Sequence, residues 1–267
     1  MTLLHTAVLY GRADPDLLDL LLSAGADIDA RMIRGWTPLH VASFRPDPDD
    51  AAAILLRCGA AKDTIIRGGY SPLHFAAQRG HLSATRALLA AGADTTLRID
   101  SPFQESPLDL ASYYGRVDVV RELARHGVDL EASNAHGWTA LHRAAFHNKT
   151  GVVDALIVAG AGVTSETLAH GLTPIFCAVH CLAVEAMQVL LRHESLVAVS
   201  RGDGASRRCG SLLHSEAKQG ETKGASEAVD LLRWRADESE LDRNGKIAAE
   251  VCGRYRPVSR PPPGGRI

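Results

Sequence analysis

A six-residue pattern recurs along this chain about every 35 residues, and this periodicity restricts the possible folds more than any other feature. The clear copies begin at positions 2, 37, 71, 106, 139 and 173 and read TLLHTA, TPLHVA, SPLHFA, SPLDLA, TALHRA and TPIFCA. Two weaker copies, SLLHSE and IAAEVC, begin at positions 211 and 247. Self-similarity at a period of about 20–50 residues is typical of small structural units stacked in a row. We therefore expect an array of repeats rather than one large domain.

Helix start and stop signals fall at the same phase in each repeat. Thr or Ser at the first position of the pattern is a good N-cap, and Pro suits the next position because it has no N–H to leave unpaired. About twenty residues later, segments such as LLLSAGAD and ALLAAGAD contain a glycine suited to a left-handed C-cap. These C-cap glycines are Gly25, Gly59, Gly92, Gly127 and Gly160. A second break, between two helices, is predicted at Gly11, Gly80, Gly115 and Asn148.

The T-P-L-H-x-A pattern, the LLxxGAD segment and the period together resemble the ankyrin repeat family over about residues 2–253. The resemblance implies an all-α solenoid of helix-turn-helix repeats with β-hairpin-like loops on one side, in which neighbouring repeats bury a continuous core. It also implies that the histidines of the pattern form structural hydrogen bonds between adjacent repeats and are not catalytic. These histidines are His5, His40, His74, His142 and His214.

Three regions are predicted from the quality of the repeats. Residues 1–198 form an array of six clear repeats, and residues 199–253 form a degenerate seventh repeat with a C-terminal half-repeat cap. Residues 254–267 form a Pro/Gly/Arg tail that has nothing to bury and is predicted to be disordered. Because the chain begins inside the first copy of the pattern, it also fits the recognition part of a longer protein.

Charge and hydropathy exclude several classes of protein. Lys and Arg number 29 against 31 Asp and Glu, so a net charge of −2 creates no general attraction for nucleic acid. The sequence has neither a run of about 20 apolar residues nor a secretory signal, which argues against a membrane partner. Five cysteines, an odd number, fit reduced thiols in the cytoplasm or nucleus. We expect a monomer with a protein partner.

No motif for nucleotide binding, zinc proteolysis or a nucleophilic serine occurs, so we expect no enzyme activity, no catalytic residue and no cofactor. One cluster could bind zinc, because Cys177, His180 and Cys181 lie on one predicted helix. His147 falls at the corresponding place in the preceding repeat. However, the recognised zinc spacings are absent and Cys177 is at a core-facing position. We favour a polar recognition surface with one buried thiol, and predict no metal.

The positive signal for function is a surface. In the family that this chain resembles, partners contact the loop just before the pattern and the exposed end of the first helix of each repeat. Eight of the 13 aromatic residues fall at these positions, together with several arginines, and this composition is typical of binding hot spots. The candidate partner-binding residues are Arg34, Trp36, Phe44, Arg45, Arg67, Tyr70, Gln78, Arg79, Phe103, Glu105, Tyr113, Tyr114, His136, Trp138, Phe146, His147, His170 and His180.

The functional prediction is a non-catalytic protein–protein interaction scaffold that binds a protein partner on the concave face of the array. Two alternatives stay open, namely a regulatory or adaptor subunit that docks on an enzyme, and a recognition fragment of a larger multidomain protein. A structural alternative also applies to Trp36, Tyr70 and Trp138, because an aromatic residue directly before the pattern can pack across neighbouring loops.

Overall fold

The computed structural model describes residues 2–10, 15–45, 51–167 and 171–193. The chain divides into two units, Met1–Ser195 and Leu196–Ile267, and all of the described residues lie in the first. The predictions for the seventh repeat, the half-repeat cap and the tail therefore lie outside the described residues. So do those for Gly11, His170 and His214.

The described residues form twelve α-helices, two in each of six repeats, and contain no β-strand. The helices are α1 Leu3–Tyr10, α2 Pro15–Ser23, α3 Pro38–Phe44, α4 Ala51–Arg57, α5 Pro72–Arg79, α6 Leu82–Ala90, α7 Pro107–Tyr113, α8 Val117–Arg125, α9 Ala140–Phe146, α10 Thr150–Val158, α11 Pro174–His180 and α12 Val184–His193. The expected all-α architecture is confirmed. No helix in these ranges has the length and apolar character needed to cross a membrane.

The helices form two layers with the core between them. The first helix of each repeat packs on the first helix of the next, and the second helices form a parallel row in the same way. A fully buried leucine recurs once in each second helix, at Leu18, Leu55, Leu88, Leu123, Leu156 and Leu190. The leucines of the pattern are also buried, at Leu4, Leu39, Leu73, Leu108 and Leu141. The repeat period of the sequence is therefore the period of core leucines, which no single repeat could bury alone.

The pattern histidines link adjacent repeats. In repeat two, Thr37 donates its backbone N–H to His40 Nδ1 over 3.3 Å, and Thr37 Oγ1 lies 2.8 Å from the same nitrogen. His40 Nε2 lies 3.3 Å from the carbonyl oxygen of Tyr70, which can only accept, so the ring is neutral with its proton on Nε2. The equivalent bonds run from His5 to Trp36, from His74 to Leu97 and from His142 to Leu172. The predicted structural role is confirmed for these four histidines.

Repeat four has Asp109 in place of the histidine. Its Oδ2 accepts hydrogen bonds from the backbone N–H and the hydroxyl of Ser106, both at 2.9 Å, so the helix cap is retained. A carboxylate has no hydrogen to donate to the next repeat, and Arg98 Nη1 lies 3.4 Å from the same oxygen instead. Burial raises the pKa of Asp109 above its ordinary value.

The helix breaks adopt the left-handed backbone that the sequence predicts. The five C-cap glycines have φ between 73° and 99°, and Gly80, Gly115 and Asn148 have φ of 82°, 72° and 53°. The sequence rules missed Leu182, which adopts φ 54° at the same place in repeat six. A left-handed leucine costs about 1–2 kcal/mol, so repeat six contains a turn that its sequence does not favour.

Hairpin loops connect the repeats, and we name the four that the structure describes in full by their residues, as 32–36, 66–70, 99–105 and 134–138. Each is closed by a backbone hydrogen bond, such as Met32 N–H to Trp36 O at 2.9 Å. Neighbouring loops are also joined, from Arg67 N–H to Arg34 O, from Asp100 N–H to Gly68 O and from Ala135 N–H to Phe103 O. The loops are therefore β-hairpin-like without forming strands, and they make a bonded row beside the ends of the first helices.

Candidate functional site

Seventeen of the predicted partner-binding residues are described, and all lie in hairpin loops or at the ends of first helices; we call this surface the candidate face. The exposed members are Arg34, Arg45, Arg67, Arg79, Phe103, Tyr114, His136 and His180. The half-buried members are Trp36, Phe44, Tyr70, Gln78, Tyr113, Trp138, Phe146 and His147. Glu105 is buried, and His170 lies outside the described residues.

Four rings of repeats two and three form one aromatic cluster, which we call the Phe75 cluster: Trp36, Phe44, Tyr70 and Phe75. The centroid of Phe75 lies 4.6 Å from that of Trp36, 5.1 Å from that of Tyr70 and 5.6 Å from that of Phe44. Trp36 and Tyr70 are thus partly scaffold, as the structural alternative allowed. Phe75 itself is buried and was not predicted, although an aromatic residue at the variable position of SPLHFA was the available signal.

Two arginines are positioned around the Phe75 cluster. The guanidinium carbon of Arg79 lies 3.9 Å from the ring centroid of Phe44, which is a cation–π contact. Arg45 Nη1 donates a 2.7 Å hydrogen bond to the carbonyl oxygen of Leu9 in repeat one. Between these groups lies a groove of about 650 Å³, lined by Leu9, Met32, Ile33, Arg34, Trp36, Val41, Phe44, Arg45 and Arg79.

A different cluster occupies repeats four and five, and we call it the Arg143 cluster: Phe103, Glu105, Tyr113 and Arg143. Arg143 Nη2 lies 3.2 Å from Glu105 Oε1, and both side chains are about nine-tenths buried. The guanidinium carbon lies 5.1 Å from the ring centroid of Tyr113 and 5.6 Å from that of Phe103. Glu105, one of the predicted partner-binding residues, is instead buried, and its carboxylate is paired within the protein.

The rings of repeats four to six continue the row. Tyr113 contacts Tyr114 and His147 with centroid distances of 4.8 and 4.4 Å, and Phe146 stacks with His180 at 6.4 Å. Trp138 packs edge-on against Phe146, and Phe103 against His136. Gln78 Nε2 donates to Tyr114 Oη over 3.1 Å, which connects this row to the end of α5.

Burial lowers the pKa of His147, and the positive charges of Arg143 and Lys149 lower it further. A neutral imidazole at this place adds hydrogen-bonding capacity to the face without adding a positive charge.

The two cysteines of repeat six lie in different environments. Cys177 is buried, and this burial raises the pKa of its thiol to about 12, so the sulfur stays protonated and is a poor metal ligand. Cys181 Sγ lies 3.9 Å from His180 Nδ1. Within the part of the chain that the structure describes, no three His, Cys, Asp or Glu residues are grouped as metal ligands would be. The favoured interpretation of one buried thiol is confirmed for Cys177.

Comparison with known proteins points to one family. The family model described as "Ankyrin repeats (3 copies)" matches residues 4–99 and 97–167, which together are more than half of the chain. A mouse protein, the RelA-associated inhibitor, is 36% identical over 97 residues, which are 36% of this chain and only 12% of that protein. The chain is also similar to the crystal structure of an ankyrin repeat domain from Acinetobacter baumannii AYE, with 31% identity and a TM-score of 0.62 over 71% of this chain and 96% of that one. The chain belongs to the ankyrin repeat family.

Proposed function

We propose that this chain is a non-catalytic scaffold that binds a protein partner on the candidate face. Ankyrin repeats generally mediate protein–protein interactions, which gives the proposal its class. The observation that carries it is the row of rings from Trp36 to His180, which brings aromatic side chains of five repeats onto one surface. Partly exposed aromatic residues with arginines beside them are typical of binding hot spots.

The candidate face is also rigid before any partner binds. Hydrogen bonds join each hairpin loop between residues 32 and 138 to the next, and most of the rings already contact one another. A partner therefore has few side chains to order, which lowers the entropic cost of association.

The histidines of the repeats support a non-catalytic role. Both ring nitrogens of His40, His74 and His142 are used in hydrogen bonds, and burial lowers the pKa of each. A histidine held in this way has no nitrogen left to exchange a proton with a substrate. The proposal keeps the expectation of a monomer in the cytoplasm or nucleus.

A regulatory form of the same function is favoured by the mouse relative, which is named as an inhibitor associated with RelA. We propose that this chain likewise holds a partner without changing it chemically. Because the chain spans 12% of that relative, the partner of this chain is identified by experiment rather than by the name.

The proposal predicts that removing the exposed Phe and Tyr rings of the face weakens partner capture without unfolding the protein. Phe103 and Tyr114 are 46% and 41% exposed, so Phe103→Ala with Tyr114→Ala removes surface rather than core. Hot-spot aromatics cost about 2 kcal/mol or more when truncated, which is roughly a 30-fold loss of affinity. The measurement is affinity capture from an extract of the source organism, with thermal melting of both proteins.

The matched control is Leu20→Ser with Val158→Ser, which removes two exposed apolar side chains from second helices. We expect this control to capture the same proteins as the wild type. If the ring variant and the control retain every captured protein equally, the candidate face is not the binding surface.

A further inference from the structure

We propose that the groove of repeats one to three binds an acidic peptide segment that inserts one apolar side chain. This inference rests on the proposed function, since it names the chemistry of the partner at one end of the candidate face.

The shape of the groove fits a peptide side chain. Its volume of about 650 Å³ is in the range of sites that enclose small organic groups. Its apolar lining comes from repeats one and two, with Leu9 from α1, Trp36 from loop 32–36 and Phe44 from α3. Ile33 stands on the rim with 84% of its surface exposed. An apolar side chain of a partner would therefore be covered on several sides, which is the arrangement of an anchor residue.

The charge of the groove selects an acidic partner. Three arginines line it, Arg34, Arg45 and Arg79, and none of its other described lining residues is a carboxylate. Among the described residues, none of these three lies within ion-pair distance of an Asp or Glu. This differs from Arg143, whose charge is already neutralised by Glu105. The groove thus offers guanidinium groups with donors still available for carboxylates.

Two of the arginines are held in position before binding. The ring of Phe44 supports Arg79 from one side, and the bond to Leu9 O holds Arg45. Positioning reduces the entropy that long side chains lose when they pair, so these arginines gain more from a carboxylate than freely moving ones.

The rings of the groove favour a peptide over nucleic acid. Bases bind single-strand platforms by stacking on open aromatic faces. Here one face of Trp36 is covered by Phe75, with centroids 4.6 Å apart, and one face of Phe44 is covered by Arg79. The groove therefore suits an aliphatic side chain with flanking carboxylates better than a row of bases.

The test uses the purified full chain and three fluorescein-labelled peptides. The first carries one leucine flanked on each side by glutamates, the second has glutamines for the glutamates, and the third has glycine for the leucine. Fluorescence anisotropy gives the affinities. We expect the first peptide to bind at least about tenfold more tightly than either of the others, with affinity falling as ionic strength rises.

The variants locate the binding. Arg34→Gln with Arg79→Gln removes two positive charges from the groove, and Arg57→Gln with Arg121→Gln removes two from second helices as the matched control. We expect the first pair to weaken binding of the acidic peptide at least about tenfold, and the control pair to change its affinity by less than about twofold. Ile33→Ser reduces the preference for leucine over glycine and, because Ile33 is exposed, leaves the melting curve unchanged.

Several results would overturn the inference. One is equal binding of the glutamate and glutamine peptides, and another is equal loss in the groove and control variants. A single-stranded oligonucleotide that competes as well as the acidic peptide would indicate a general polyanion site. None of these results bears on protein capture through Phe103 and Tyr114, which is measured in a separate experiment. Failure of this inference is therefore distinguishable from failure of the proposed function.

Discussion

Phe75 and Arg143 occupy the same position of the repeat pattern, yet they create two different surfaces. Phe75 follows His74 in α5 and brings three other rings around an apolar centre. Arg143 follows His142 in α9 and places a guanidinium beneath Tyr113 and Phe103, with Glu105 as its counter-ion. One side chain at a variable position thus determines the chemistry of the neighbouring face.

The comparison shows that the same repeat backbone can present two surfaces of different chemical character. Around Phe75 the positive charges lie on the rim and face the solvent, because the centre is apolar and cannot hold them. Around Arg143 the positive charge is in the centre and is neutralised, which leaves rings and histidines on the surface. We therefore expect the two ends of the candidate face to prefer different segments of a partner.

The largest expected effect comes from breaking the Arg143 cluster. Arg143→Ala leaves the buried carboxylate of Glu105 without its counter-ion, and removing one member of a buried ion pair costs about 3–5 kcal/mol. Urea unfolding of the variant measures this loss. The matched control is Arg86→Ala, because Arg86 pairs with Glu122 at 3.1 Å but its side chain is 55% exposed, and such pairs contribute at most about 1 kcal/mol. Equal losses in the two variants would contradict a structural role for the buried pair.

A smaller effect is expected from acid, which acts on the histidines beside the Phe75 cluster. Burial lowers the pKa of His40 and of His74 from 6.5 to about 4. The unfolded chain therefore takes up protons where the folded protein does not, so stability is complete above pH 6.5 and falls as pH decreases toward 4. At about pH 5.5 the loss is roughly 1–2 kcal/mol for each histidine, or roughly 3 kcal/mol for both.

His74→Asn tests this origin of the pH dependence. Its amide oxygen can still accept the hydrogen bonds of Ser71, as Asp109 does from Ser106 in repeat four, but it does not titrate. Unfolding curves at about pH 7 and about pH 5.5 should show roughly half of the acid effect of these two histidines in the variant. An unchanged pH dependence would mean that other groups cause it.

The smallest expected effect concerns the contact between the two regions, where loop 66–70 meets loop 99–105. A Cβ on Gly69 would lie 2.7 Å from the backbone nitrogen of Asp100 and 3.0 Å from Ile99 Cα. A Cβ on Gly68 would meet only the Tyr70 ring, at 3.6 Å. Both glycines have positive φ, so each alanine costs about 1 kcal/mol from the backbone alone.

Gly69→Ala should therefore destabilise the protein by about 2 kcal/mol or more, and Gly68→Ala by about 1 kcal/mol. Urea unfolding compares them directly. An equal loss of unfolding free energy in the two variants would show that the two loops adjust independently. The two regions of the face would then not be held together at Gly69.

Much of the fold was predictable because it depends on local chemistry. Cap residues, left-handed glycines and core leucines act through the groups next to them in the chain, and the structure confirms them in the described repeats. Leu182 shows the limit, because it has a positive φ at the break of repeat six although leucine disfavours the left-handed region.

The sequence predicted where the candidate residues lie in each repeat, but it did not predict which of them are exposed or which groups they pair with. Repeat phase locates Glu105 and Tyr114 equally well, yet Glu105 is buried and Tyr114 is 41% exposed. The difference arises because Arg143, 38 residues further along the chain, reaches back to Glu105. The position of a residue within its repeat does not predict a contact of this kind with a residue of another repeat.

The resemblance to the ankyrin repeat family implied the linking role of the pattern histidines. The sequence by itself determined the repeat period and the two helices of each repeat. It could do so because these features depend on side chains at fixed spacings that recur in each repeat. Only the tertiary structure decided which candidate residues face the solvent, which ring is the centre of the Phe75 cluster and which arginine pairs with Glu105. Those outcomes depend on contacts between repeats, where one variable side chain meets another.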